Sequence, residues 1–200
     1  QGLPTVMGLV LLSDASNGTL RAVLDAGAVT SLRTGAAAVL AAETLGRPDA
    51  ETAVVVGAGV NGVAAARTFL ARGREVSLYD VDTDRASRSA AELGARVATR
   101  EGALAADLLV TMTHGHEVLL PAGSLRPGQH VSLMGADGPG KAEIAVEELA
   151  SLQRELLRAE QQREADSKEL QAKADEFGTL FDSSPIGLAI THHPECDDML

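Results

Sequence analysis

Hydrophobic and polar positions fall into three successive textures along the chain. In the first, residues 8–29, the apolar runs Gly8-Leu9-Val10-Leu11-Leu12 and Thr19-Leu20-Arg21-Ala22-Val23-Leu24 flank a polar stretch holding Ser13, Asp14, Asn17 and Gly18. Asn-Gly between apolar runs predicts a β-hairpin, because both residues tolerate positive φ. Ala28 to Leu45 then reads as an Ala-rich helix, stopped by Gly46 and Pro48.

Residues 51–149 alternate strand and helix. Strands are predicted at Thr52–Val56, Glu75–Tyr79, Arg96–Ala98, Leu108–Met112 and Val131–Met134, with helices at Val60–Ala71 and Thr83–Leu93 and another starting near Lys141. Continuous apolar strands separated by helices imply a parallel sheet covered on both faces. The expected class is therefore α/β: a Rossmann-type parallel sheet with flanking helices, preceded by a β-hairpin and followed by a long C-terminal helix.

From Ser151 to Glu176 the chain has no Gly or Pro and is rich in Glu, Gln, Arg, Ala and Leu. Alternating steps of three and four from Leu149 reach Leu152, Leu156, Ala159, Arg163, Asp166, Leu170, Lys173, Phe177 and Leu180. That series fits a coiled-coil seam with a polar middle, and it also fits one solvated helix with an apolar stripe. The expected organisation is a hairpin over 1–29, a Rossmann-type sheet domain over 30–150, a helical or coiled-coil linker over 151–176 and a separate segment over 177–200.

Composition narrows the function. Seventeen basic against 28 acidic residues give a net charge of −11, split as −5 over residues 1–150 and −6 over 151–200. Nucleic acid is a poor partner for such a chain, since phosphate affinity comes from clustered Lys and Arg. Three Phe, one Tyr and no Trp leave no stacking surface for bases. The single cysteine, Cys196, forms no intrachain disulfide and fits a reducing compartment. No apolar run reaches membrane-spanning length, and Gln1-Gly2-Leu3-Pro4 has no basic leader. The expectation is a cytoplasmic chain that, lacking an initiator Met, is a fragment or a processed product.

The strongest chemical signal is Gly57-Ala58-Gly59-Val60-Asn61-Gly62, directly after a predicted strand and opening a helix. A lone GxGxxG is weak; here Asp80 ends the next strand at the spacing of the dinucleotide fingerprint. Gly57 serves the tight turn, Gly59 the approach of a pyrophosphate, and Gly62 the close packing of helix on strand. The helix N-terminus offers unpaired N–H groups to phosphate. Asp80 would accept hydrogen bonds from the adenosine ribose and repel a 2′-phosphate, which favours NAD over NADP. Arg85 nearby could meet a 2′-phosphate, although it reads first as a solvated helix residue.

Two further clusters follow the same logic. Met134-Gly135-Ala136-Asp137-Gly138-Pro139-Gly140-Lys141-Ala142-Glu143 lies past the last strand, where ligands of open parallel sheets sit. Asp137 there could be a general acid or base, or simply part of a turn capping the next helix. Arg33, near the start of the Ala-rich helix in Ser31-Leu32-Arg33-Thr34-Gly35, could clamp a carboxylate or pyrophosphate or be an ordinary exposed arginine. His114, His116 and His130 lack acidic or thiol neighbours at metal-ligand spacing and read as loop residues, so no metal is expected. His192, His193 and Cys196, beside Asp197 and Asp198, read first as part of a disordered terminus, with an adventitious metal site as the alternative.

Taken in order, the three clusters resemble the ornithine cyclodeaminase/mu-crystallin family over about residues 6–150, with Gly135–Ile144 the most specific part. The resemblance implies NAD as cofactor, Arg33 and Thr34 at the phosphates or substrate carboxylate, and Val60 and Asn61 on the pyrophosphate. It puts Asp80 on the ribose, Thr113, Gly135 and Ala136 around the nicotinamide, and Asp137 as proton donor and acceptor. The implied chemistry is redox at a carbon bearing an amino or imino group of a small amino acid or imine, with ornithine cyclisation to proline as one form. Members carry a substrate-binding arginine and a catalytic lysine in a sheet domain ahead of the hairpin, and Gln1–Met7 supplies neither. The family likeness suggests a homodimer through that sheet, while the long helix suggests coiled-coil pairing. Residues 177–190 resemble the opening of a PAS sensor domain, so the alternative is a catalytically incomplete NAD-binding regulatory module joined by a helix to a sensor.

Overall fold

A computed structural model describes residues 7–183 other than His116 and Asp137, with side-chain surroundings given through Glu176. The catalytic candidate Asp137, and residues 184–190 of the PAS-like segment, lie outside the described residues. The chain divides into two units, residues 1–150 and 151–200.

The first unit opens with the expected hairpin, β1 (Leu9–Ser13) and β2 (Leu20–Asp25), paired antiparallel with a register shift at Leu12/Ser13. Asp25 ends β2 and accepts from the Ala28 amide at 2.8 Å, which caps α1 (Ala26–Leu45). A parallel five-stranded sheet follows, in the order β5 (Arg96–Val97), β4 (Ser77–Tyr79), β3 (Ala53–Val56), β6 (Leu108–Thr111), β7 (His130–Leu133). Helix α2 (Val60–Ala71) joins β3 to β4, and α3 (Thr83–Leu93) joins β4 to β5. A short α4 (Arg100–Leu104), capped by Thr99, precedes β6.

The period of two sorts β3 between two cores. Val55 points to the face covered by α1 and α2, with Val39, Ala42, Ala65, Phe69, Leu78 and Val110. Val54 and Val56 face the other side with Ala103, Leu109 and Leu120. Small side chains make this close packing feasible: a Cβ on Gly35 of α1 would stand 2.7 Å from backbone atoms of Ala64 and Ala65 in α2. With few aromatics, density comes from bringing backbones together rather than from filling gaps.

Helices α2 and α3 have the predicted bounds, and the strands differ at their ends. Thr52 is outside β3 because its amide and hydroxyl bind the Asp107 carboxylate, at 3.0 and 2.9 Å. The helix expected near Lys141 is a correction. Residues 138–145 form a turn and an isolated bridge, Leu120 to Ile144, and the next helix, α5, runs Val146–Ser183. Five-residue α4 was too short for its periodicity to register. In the second unit every residue from Leu152 to Glu176 is exposed and helical. Among the described residues no helix is long and apolar enough to cross a membrane.

Asp107 pins the start of β3. Its bonds to Thr52, with the Glu51 amide and Arg47 as further partners and burial opposing them, hold its pKa at about 2 against 3.8. A depressed folded pKa contributes stability that is full above the unfolded value and lost as pH falls through the folded one. We expect Asp107→Asn to cost on the order of 1 kcal/mol at neutral pH after solvent screening. The gap from wild type should narrow between pH 4 and 2, read by urea unfolding across that range.

Candidate functional site

The strand order reverses at β3. The chain leaves β3 towards β4 on one side, and β6 lies on the other, so the carboxyl ends of these strands diverge into a crevice. That crevice is a cleft lined at β3 by Val56, Gly57 and Gly59, at β4 by Tyr79, Asp80 and Val81, and at β6 by Met112, Thr113, His114 and Gly115, with Arg85 at its side. A shallower groove continues past Gly59 along Val60, Val63 and Arg67 to Ser31 and Leu32 of α1.

The three glycines of the turn are required for different reasons. Gly57 has φ +101°, and a Cβ there would lie 2.6 Å from the Met112 carbonyl oxygen. A Cβ on Gly62 would lie 1.7 Å from the Gly57 carbonyl oxygen. The fold itself demands both. Gly59 is different: φ is −77°, and among the described residues nothing stands within 4 Å of a Cβ built on it. Gly59 is also the N-cap of α2 and offers no side-chain hydrogen bond, whereas α1, α3 and α4 are capped by Asp25, Asp82 and Thr99. Among the described residues, the first N–H groups of α2 therefore lack a side-chain acceptor at the mouth of the groove.

Asp80 is buried, and both its oxygens are occupied. Oδ2 accepts from the Ala58 amide at 2.7 Å and from Arg85 Nε at 3.0 Å. Oδ1 accepts from the Asp82 amide at 2.9 Å and from Arg85 Nη2 at 2.8 Å. Burial raises the Asp80 pKa, and the Arg85 fork with the two amides more than reverses this, so the net shift is downward. The solvated reading of Arg85 is thus corrected: its guanidinium is forked onto Asp80. Four donors fill the carboxylate's ordinary capacity, so a further donor reaches Asp80 only when the fork opens.

At the far side of the cleft the organising group is Glu143, which is fully buried. Its carboxylate accepts from the Thr111 hydroxyl at 2.6 Å, the Thr113 hydroxyl at 2.5 Å and the Gly135 amide at 2.8 Å. The residue ties the loop after β6 to the loop after β7. The sequence alone assigns Glu143 no role; its place between the apolar Ala142 and Ile144 is the signal of burial it offers.

The other predicted residues divide. Gly57, Gly59, Asp80 and Thr113 share the cleft, and Val60 lies along the groove. Asn61 is exposed in the first turn of α2, and Gly62 is buried beneath it. Gly135 is buried on Glu143, with Ala136 exposed beside it. Arg33 is exposed on α1 and lines neither cleft nor groove. Thr34 is buried, its hydroxyl without a partner among the described residues. No group of three metal-ligating side chains occurs among the described residues.

The family model for the ornithine cyclodeaminase/mu-crystallin family matches residues 1–183. The chain belongs to this family. It is 38% identical over 155 residues to an alanine dehydrogenase of Archaeoglobus fulgidus, covering 74% of this chain and 48% of that one. An ornithine cyclodeaminase of Agrobacterium tumefaciens is 32% identical over 163 residues, covering 74% and 45%. Among solved structures, an archaeal alanine dehydrogenase dimer with bound NAD superposes with a TM-score of 0.64 at 37% identity, over 74% of this chain and 48% of that one. A Δ(1)-pyrroline-2-carboxylate reductase of Thermococcus litoralis, in complex with NADH and L-proline, gives 0.63 at 28% identity, over 74% and 49%. The chain spans about half the length of the curated relatives it matches. The family match passes Ala150, where the sequence resemblance stopped, and continues into α5. It gives no support to the PAS alternative. Several solved relatives hold NAD or NADH, in accord with the expected cofactor.

Two substitutions separate fold from site. Gly62→Ala should destabilise by about 3 kcal/mol or more, because backbone must move. Gly59→Ala should stay within about 0.5 kcal/mol of wild type, because the added methyl meets nothing. Denaturant melts of both check this. Glu143→Ala should cost about 3 kcal/mol by leaving two hydroxyls and an amide without their acceptor, in the same assay.

Proposed function

We propose that the chain forms the NAD-binding core of a protein acting on a small amino acid or imine, with residues 30–150 as the dinucleotide-binding domain. The observation that carries this reading is Gly59. Its missing side chain serves no internal packing, and it stands where an uncapped helix end meets the groove. A pyrophosphate fits that combination: it needs close backbone approach and N–H donors together.

The residues then take distinct tasks. Gly59, Val60 and Asn61 bind the pyrophosphate through α2. Asp80 holds the adenosine ribose once Arg85 releases it, and its charge opposes a 2′-phosphate. Thr113, Gly135 and Ala136 line the nicotinamide end, where Glu143 keeps the two loops in register. Asp137 exchanges the proton, by the family likeness given above. Arg33 and Thr34 serve the phosphates or the substrate carboxylate in the same reading, although the exposed Arg33 side chain would have to reach across from α1. Bound NAD supplies reversible hydride transfer at the carbon bearing nitrogen.

Binding follows directly. NADH should bind more tightly than NADPH, measured by fluorescence titration, and Gly59→Ala should weaken NADH at least about tenfold while the protein melts as before. Arg85→Ala should widen the NADH preference about tenfold, the size of one charged hydrogen bond, by removing the guanidinium available to a 2′-phosphate. Equal affinities for the two cofactors in wild type would remove Asp80 from its task.

A further inference from the structure

Helix α5 presents a repeat whose charges answer one another when the helix faces its own reversed copy. Leu156, Ala159, Arg163, Asp166, Leu170 and Lys173 recur at alternating steps of three and four, and so share one stripe. The stripe is uncovered: Leu156 is 61% and Leu170 69% exposed. Burying each leucine would contribute about 1.5–3 kcal/mol.

The series is symmetric about the bond between Glu164 and Ala165. Reversing the helix exchanges Arg163 with Asp166, Ala159 with Leu170 and Leu156 with Lys173. We infer that α5 pairs with α5 of a second copy in antiparallel orientation, centred on that point. The layers are then Arg163 with the partner's Asp166, repeated across the two-fold axis, flanked by Ala159 with the partner's Leu170. Beyond these, the Lys173 stem lies along the partner's Leu156 and keeps its ammonium in water.

A parallel, in-register pair would face Arg163, Asp166 and Lys173 each with its own copy, making three like-charge layers in the seam. Like charges across an interface cost several kcal/mol, so the seam selects its orientation by exclusion as much as by attraction. Existing bonds do not resist the exchange. Asp166 accepts from Gln162 at 2.7 Å and Lys173 pairs with Glu169 at 2.6 Å, all on the exposed helix surface where such contacts contribute little.

The test uses the full chain with Cys196, its one native cysteine, changed to serine. Ala159→Cys and Leu170→Cys chains are oxidised separately and as a mixture, one carrying a size tag. The antiparallel register puts each introduced thiol about 16 Å along the axis from its own copy, at 1.5 Å per residue, and opposite the other variant's thiol. A mixed disulfide that forms in the mixture while neither variant alone cross-links is the expected result. Self-cross-linking of either variant alone, or no cross-link in any sample, would overturn the proposal. Charge exchange gives a second reading by sedimentation. Arg163→Asp should weaken association at least about tenfold, and adding Asp166→Arg should restore it to within about threefold. Association that the single exchange leaves unchanged counts against the register. Neither readout depends on dinucleotide binding.

Discussion

The contact between the Gly57 carbonyl and the bare Cα of Gly62 governs the first unit. With 1.7 Å left for a Cβ, no other residue fits, so α2 rises from β3 at one steep angle. That angle aims the first amides of α2 into the crevice and lays Ala64 and Ala65 against Gly35 of α1. The other half of the site is tied by a polar group, the Glu143 carboxylate. One end is thus fixed by shape and the other by hydrogen bonds, which accept smaller displacements without breaking.

The fold was legible where one principle dominates. Helices α2 and α3 are bounded by unambiguous signals, Gly59 and the Asp82–Gly94 pair of caps, and their ends agree with the sequence reading. Strand β3 is continuous apolar chain, and only its first residue was misplaced. Tertiary partners decided the remainder. Thr52 has strand-like chemistry but serves Asp107, and Lys141 precedes a helix-like run whose Glu143 turns inward instead.

The site was legible in part for the same reason. Spacing identified the glycines and Asp80, because both follow from how far a strand and a helix travel. What Asp80 binds in the free protein is a matter of side-chain reach: Arg85 lies five residues on, in the first turn of α3, close enough to fork onto it. No one-dimensional pattern distinguishes that arginine from a solvated one. Glu143 escaped notice because a carboxylate among small residues looks like surface until its three donors are seen converging on it.

The contrast among the three glycines has an evolutionary reading. Mutations at Gly57 and Gly62 are purged by any pressure to keep the fold, whatever the protein does. The packing around Gly59 gives it no such shelter; under the proposed function, only an occupant of the groove does. A lineage that abandoned its cofactor would drift at this position first, acquiring alanine or serine while its glycine neighbours and its melting behaviour stayed intact. Across descendants of this chain, the identity of residue 59 would thus mark which ones still use the ligand.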